Sequence, residues 1–219
     1  MKALSTSLFI AAITLLGACT GTPTLEETPS SEFAGLNVVS SSGFSKAWGR
    51  PGTKLTEYKV IDAQTLQSAN AEIVQPSSSG SVWSRKDWEL TAEREQALAS
   101  AWNKAVEDAA AKHGLDTSGS GDKVLRIETE ITRIAPSVNA GEMQNSPGRS
   151  TVYTEDSGDA SVEFRLYDQA SGELLVVIRD NRRVGSQMWG RASTVSISAD
   201  VRNLLSSWAN RLLSRVSGN

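Results

Sequence analysis

Lys123–Pro136 reads KVLRIETEITRIAP. Leu125, Ile127, Thr129 and Ile131 fall on one side of an extended chain, and Arg126, Glu128 and Glu130 on the other. A period of two over this length predicts a strand with one face in a core and one in water. The pattern returns in ASVEFRLYD, where Ala160, Val162, Phe164 and Leu166 alternate with polar residues. DQASGE then reads as a hairpin turn, and Leu174, Val176 and Ile178 form the next strand. Strands joined this closely pair antiparallel.

Upstream, Tyr58–Ala63 reads as a first strand and Gln64–Asp87 as polar loop. Ala92–His113 carries a helix pattern. Thr91 is its N-cap, Glu93 and Glu95 sit in the first turn, and Lys112 and His113 sit in the last turn before Gly114. Leu98, Ala101, Trp102, Ala105 and Ala109 share one face. A second stripe, Val201, Leu204, Leu205, Trp208 and Leu212, predicts a final helix capped by Ser196 or Ser198. Two apolar helix stripes need a surface to cover. The expected fold is therefore α+β: a two-layer sandwich with a mainly antiparallel sheet of about four strands and both long helices on one face. The helix between the first two strands allows that pair to run parallel through a right-handed crossover.

The 219 residues, 39% hydrophobic and 21% charged, suit one core. A net charge of −3 argues against a nucleic-acid partner. One histidine and one cysteine exclude a multi-histidine metal site, an internal disulfide and most histidine-based triads. No G-x-S-x-G elbow occurs. No metal, cofactor or catalytic residue is expected.

The single cysteine closes MKALSTSLFIAAITLLGAC. Lys2, the apolar run Leu8–Leu16 and the small residues Gly17 and Ala18 have the three-part pattern of a secretory signal, too short to span a bilayer. Leu16-Gly17-Ala18-Cys19 resembles the lipobox of bacterial lipoproteins. That resemblance implies cleavage before Cys19 and acylation there, with more than one acyl chain for stable anchoring. Thr20 stands where an Asp would mark inner-membrane retention in enterobacterial lipoproteins, which implies the outer membrane and a domain facing the periplasm. The expected organisation is a signal peptide over 1–18, a Ser/Thr/Pro-rich tether over 19–47 reaching on the order of 30 Å, and a single domain over 48–219. Phe33, Leu36, Val38, Val39 and Phe44 do not suit a tether, and the sequence expects some of them to dock on the domain.

The order of elements, with YKVIDAQTL, LTAEREQAL, ITRIAP, VEFRLYDQASGELL, DNRRVG, Trp189 and DVRNLLSSWANRLLSR, is similar to the Gram-negative lipoprotein family catalogued as domain of unknown function 3313. The polar, Gly/Ser-rich loop Pro136–Asp159 departs from its pattern. The resemblance implies an envelope lipoprotein without an assigned activity or catalytic residues.

Several residues remain as candidates. His113 reads as a helix-end cation, and Glu155, Asp156 and Asp159 as a solvated loop without calcium-loop spacing. Arg179, Arg182, Arg183 and Arg191 with Trp189 form the best candidate binding surface, suited to a phosphate, an anionic sugar or an acidic partner. Of six tryptophans, Trp102 and Trp208 fall on the helix stripes, while Trp48, Trp83, Trp88 and Trp189 fall in predicted loops. The sequence thus points to a non-enzymatic binding or accessory module held to the membrane through Cys19, with an envelope protein or peptidoglycan as partner. An oligomerising envelope component is the alternative, and a cell-wall or lipid hydrolase a weaker one.

Overall fold

The computed structural model describes residues 22–76, 87–137, 153–185 and 190–218. Cys19, Trp83 and Trp189 lie outside them. The strands are β1 (Thr24–Pro29), β2 (Asn37–Ser40), β3 (Lys46–Gly49), β4 (Val60–Ala63), β5 (Glu72–Ile73), β6 (Val124–Pro136), β7 (Tyr153–Thr154), β8 (Gly158–Asp168), β9 (Leu174–Val184) and β10 (Gly190–Arg191). The helices are α1 (Ala92–His113) and α2 (Thr194–Ser217). The main sheet runs β1-β2-β3-β9-β8-β6-β4, with β5 pairing further along β6. Only β4 and β5 run parallel to β6, so the sheet is mainly antiparallel. β7 and β10 form a separate ribbon.

The sheet has eight strands, not about four. Four of those unforeseen come from polar sequence and are at most six residues long. Two of them, β1 and β2, fall inside the stretch read as a tether, and β3 crosses its end. What holds them is cross-strand pairing to β9 and burial of the apolar residues noted above. Leu36 and Trp48 pack with Val177 of β9, with Phe33 and Val38 beside them. Phe33 meets Trp48 edge-on at 5.1 Å between ring centres. Trp48, expected in a loop, is therefore a buried strand residue.

The helices behave as their sequences dictate. Thr91 accepts from the Arg94 N–H, and Gly114 closes α1 in the left-handed conformation. The cap of α2 is Ser193, in a reciprocal capping box with Ser196, rather than Ser196 or Ser198. Both helices lie on one sheet face and pack against each other. Phe164 of β8 is the centre of that core. Trp102 of α1 stacks on it at 5.6 Å, and Trp208 of α2 and Phe44 meet it edge-on at 6.5 and 6.3 Å. A register shift between Ile131 and Arg133 leaves Thr132 as an extra residue. The alternation therefore slips by one, and both Ile131 and Ile134 reach the helix side. Gly158 allows the close passage of β8 past the end of β6. A Cβ there would stand 2.2 Å from the Ala135 carbonyl oxygen, and its φ is +126°.

Candidate functional site

The alternation that builds the core sends most charged residues of β6, β8 and β9 to the opposite face, Asp180 and Arg182 excepted. Register then sets the pairs: Glu128 faces Arg165, Glu130 faces Glu163, and Glu163 faces Arg179. Glu163 is buried beneath this ladder at 5% exposure. It accepts from Arg165 at 2.5 Å and from Arg179 at 2.6 Å. Arg179 also reaches Glu32, on the segment between β1 and β2, at 2.5 Å, and its guanidinium lies 5.3 Å from both the Phe33 and Trp48 rings. A buried charge needs such partners, because desolvation otherwise outweighs any gain.

Beside the ladder, the segment after β4 runs along β6. The Gln64 N–H donates to Ile127, the Gln67 N–H to Thr129, and the Ile131 N–H to Gln67. This arrangement leaves a cleft of about 390 Å³ lined by Gln64, Thr65, Gln67, Asn70, Glu128, Glu130, Glu163 and Arg165. Glu128 is engaged by Arg126 at 3.4 Å. Burial, then the charge of Glu128 and its hydrogen bond, raise the Tyr167 hydroxyl above its ordinary pKa. Among the described residues Glu130 has no ion-pair partner within 4 Å. The cleft thus offers hydrogen-bonding amides, a hydroxyl and the Glu130 carboxylate, which feels the charge of Arg165 without a direct ion pair to it. It could hold a polar ligand with a cationic group.

The arginines read as one surface are divided by the strand on which they sit. Arg179 and Arg183 fall on the ladder face. Arg182 falls on the helix face, where its Nε donates to Asp180 at 2.6 Å. Asp180 is buried and also accepts from the Ser45 N–H, the Ser45 hydroxyl and the Trp208 indole, each at 2.9 Å. Burial alone would raise its pKa. The donors, Arg182 first, outweigh burial and hold the carboxyl below the usual range. Arg183 lies 3.4 Å from Asp156. The Arg191 backbone pairs with Tyr153 in the small ribbon. Three of the five predicted surface residues are therefore each paired to a carboxylate and do not converge on one spot.

The other candidates settle into structural places. Asp156 accepts from the Gly158 N–H, and Ser157 donates to Asp200 at 2.6 Å. No group of three His, Cys, Asp or Glu among the described residues is placed to hold a metal ion. His113 occupies the last turn of α1, with a buried Nε2 that has no hydrogen-bond partner among the described residues. Trp88 carries the Arg94 guanidinium 4.7 Å above its ring. Sequence reasoning missed Glu32, Gln64, Gln67 and Asn70. The alternation of β6 marked Glu128 and Glu130 as outward, but nothing local reveals which segment lies beside them.

A family model described as protein of unknown function, DUF3313, matches residues 37–212. No curated protein matches the chain. Among solved structures, a PelC dodecamer from Paraburkholderia phytofirmans is 10% identical with a TM-score of 0.37, covering 75% of this chain and 96% of that one. A Xanthomonas campestris protein of family DUF330 is 10% identical with a TM-score of 0.39, covering 74% and 86%. A candidate lipoprotein from Caulobacter crescentus CB15 is 11% identical with a TM-score of 0.33, covering 70% and 88%. Overlaps this loose do not establish a common fold.

Proposed function

The chain belongs to the DUF3313 family of proteins of unknown function, a membership that brings no reaction with it, and we propose that it is a lipid-anchored envelope protein whose folded domain is a non-enzymatic binding or accessory module. The observation that carries the anchor is Leu16-Gly17-Ala18-Cys19, which ends an apolar run of signal-peptide length and contains the chain's only cysteine. Thr20 after it favours the outer membrane. No described helix is long and apolar enough to cross a membrane.

The test is incorporation of labelled fatty acid in a bacterial host. The wild-type chain should take up label, and Cys19→Ser should abolish it. A Cys19→Ser variant that remains labelled would overturn the anchor. Thr20→Asp should move the labelled protein to the inner-membrane fraction of a density gradient.

The binding face proposed for the domain is the charged ladder and its cleft, with Arg183 at its end. The rigid clamp around Glu163 supports this reading, since it presents the cleft without reorganisation. Crosslinking capture from intact envelopes tests it: Glu130→Gln or Arg183→Ala should weaken recovery of a discrete partner, and unchanged recovery would remove this face. The alternative of assembly through the free edge of β1 is less favoured. Glu26, Glu27 and Pro29 lie on that edge, and charges and proline obstruct strand addition.

A further inference from the structure

The point where the chain enters the fold decides which surface an anchored domain turns toward its membrane. This inference rests on the acylation of Cys19. Only four residues, Thr20 to Pro23, lie between Cys19 and Thr24, the first residue of β1. Fully extended, the five steps from Cys19 to Thr24 reach about 18 Å at most, at ~3.3–3.6 Å per residue. A tether of the length the sequence suggested would leave the domain free to turn; this one does not.

Thr24 pairs with Ser40, whose hydroxyl donates to the Thr24 carbonyl. The chain then turns through Ser41–Ser45 into β3. That turn is held by α2. The Arg211 guanidinium donates to the Gly43 carbonyl and lies 5.8 Å from the Phe44 ring centre. A Cβ added at Gly43 would stand 3.3 Å from Arg215 Nη2. Arg182 of β9 is the third cation. Burial, then the fields of Arg182 and Arg215, lower the Arg211 pKa, as a crowd of like charges does. The opposing carboxylate is Asp180, which is already occupied by Ser45, Trp208 and Arg182. The corner where the anchor enters is thus a cluster of three guanidiniums against one committed carboxylate.

We propose that Arg182, Arg211 and Arg215 are a contact surface for the anionic phospholipid headgroups of the membrane that holds Cys19, so that the Ser41–Ser45 turn is the membrane-proximal corner of the domain. Guanidinium groups match phosphate oxygens with paired hydrogen bonds. An anionic surface acts over a Debye length of ~8 Å, and the short leash lets this corner come within that range. Glu26 and Glu27 follow along β1, further from the anchor. Their repulsion from the same surface tips the domain onto its arginine corner rather than flat along the strand.

The experiment uses the full acylated chain in vesicles. Cys19 is then consumed by lipid, and Ser41→Cys provides one thiol for a dye, with acceptor dye on the lipid headgroups. Energy transfer should be higher in phosphatidylcholine vesicles containing phosphatidylglycerol than in pure phosphatidylcholine, and salt should erase the difference. Arg211→Gln with Arg215→Gln should erase it at low salt. Arg211→Lys with Arg215→Lys, which keeps the charge, should retain it. A dye at Ala170→Cys, in the turn between β8 and β9, serves as the control and should show no rise. Circular dichroism checks that each variant folds. Equal transfer in both vesicle types, or no response to the glutamine pair in a folded variant, overturns the proposal while the chain still floats with the vesicles. A chain that carries no acyl group and does not float overturns the anchor, and this surface with it.

Discussion

The two faces of β8 and β9 come from the same alternating residues and solve opposite problems. Under the helices, Phe164, Val162, Leu166 and Ile178 are fully or nearly fully buried, and Asp180 is the charged residue among them. On the other face, Val177 is buried under Leu36 and Trp48, and Glu163 is the buried charge, clamped by Arg165 and Arg179. The helix face removes apolar surface from water, which stabilises without direction. The ladder face positions charge, which contributes little net stability but fixes geometry. The helix face carries the main core, while the part of the ladder face that Leu36 and Trp48 do not cover remains available to a partner.

Phe164→Ala should break this contrast most severely. It deletes the ring on which Trp102 stacks and Trp208 and Phe44 converge. Removing a buried Phe costs about 3–5 kcal/mol. Urea denaturation should show that loss, and a cost under ~1 kcal/mol would mean the core is not centred there.

Asp180→Ala should follow, at about 2–3 kcal/mol, because it strands the Trp208 indole N–H and the Arg182 guanidinium. Its carboxyl is held below the usual range, so the folded state binds its proton more weakly than the unfolded chain. That contribution is complete above the unfolded value of ~3.9 and is lost as pH falls through the lower folded one. Thermal melts across that acid range should show a shallower loss for Asp180→Asn than for the wild-type chain. Equal slopes would mean Asp180 does not carry it.

How much of this was legible in sequence follows from which interactions are local. The bounds of α1 were readable because Thr91 and Gly114 mark them within a turn of the helix they close. The inward set of β6 was readable because alternation needs no partner. β2 and β3 were not, since four-residue strands in Ser-rich sequence have no period of their own. Their place is set by Trp48 meeting Val177, some 130 residues away in sequence. The separation of Arg182 from Arg179 and Arg183 was not foreseen for a related reason. Adjacency in sequence puts Arg182 and Arg183 on opposite faces of a strand, so Arg182 joins Arg211 and Arg215 instead. A strict reading of β9 by its period of two would have separated them.

The finest test lies within the ladder, between two glutamates directly opposite each other. Glu163→Gln removes the carboxylate that Arg165 and Arg179 share. Both arginines are partly exposed, at 43% and 38%, so water replaces much of the lost interaction and the cost should be only about 1–2 kcal/mol. Glu130→Gln removes the other charge of the like-charged pair. Opposed like charges destabilise a sheet, and Glu130 has no ion-pair partner among the described residues to lose. Its stability should stay within ~0.5 kcal/mol of wild type or rise slightly. Chemical denaturation of both variants separates the roles. If Glu130→Gln costs as much as Glu163→Gln, Glu130 is a structural member of the ladder. If it costs nothing, its carboxylate is maintained at the cleft without a folding purpose, which is the condition a ligand-facing group should meet.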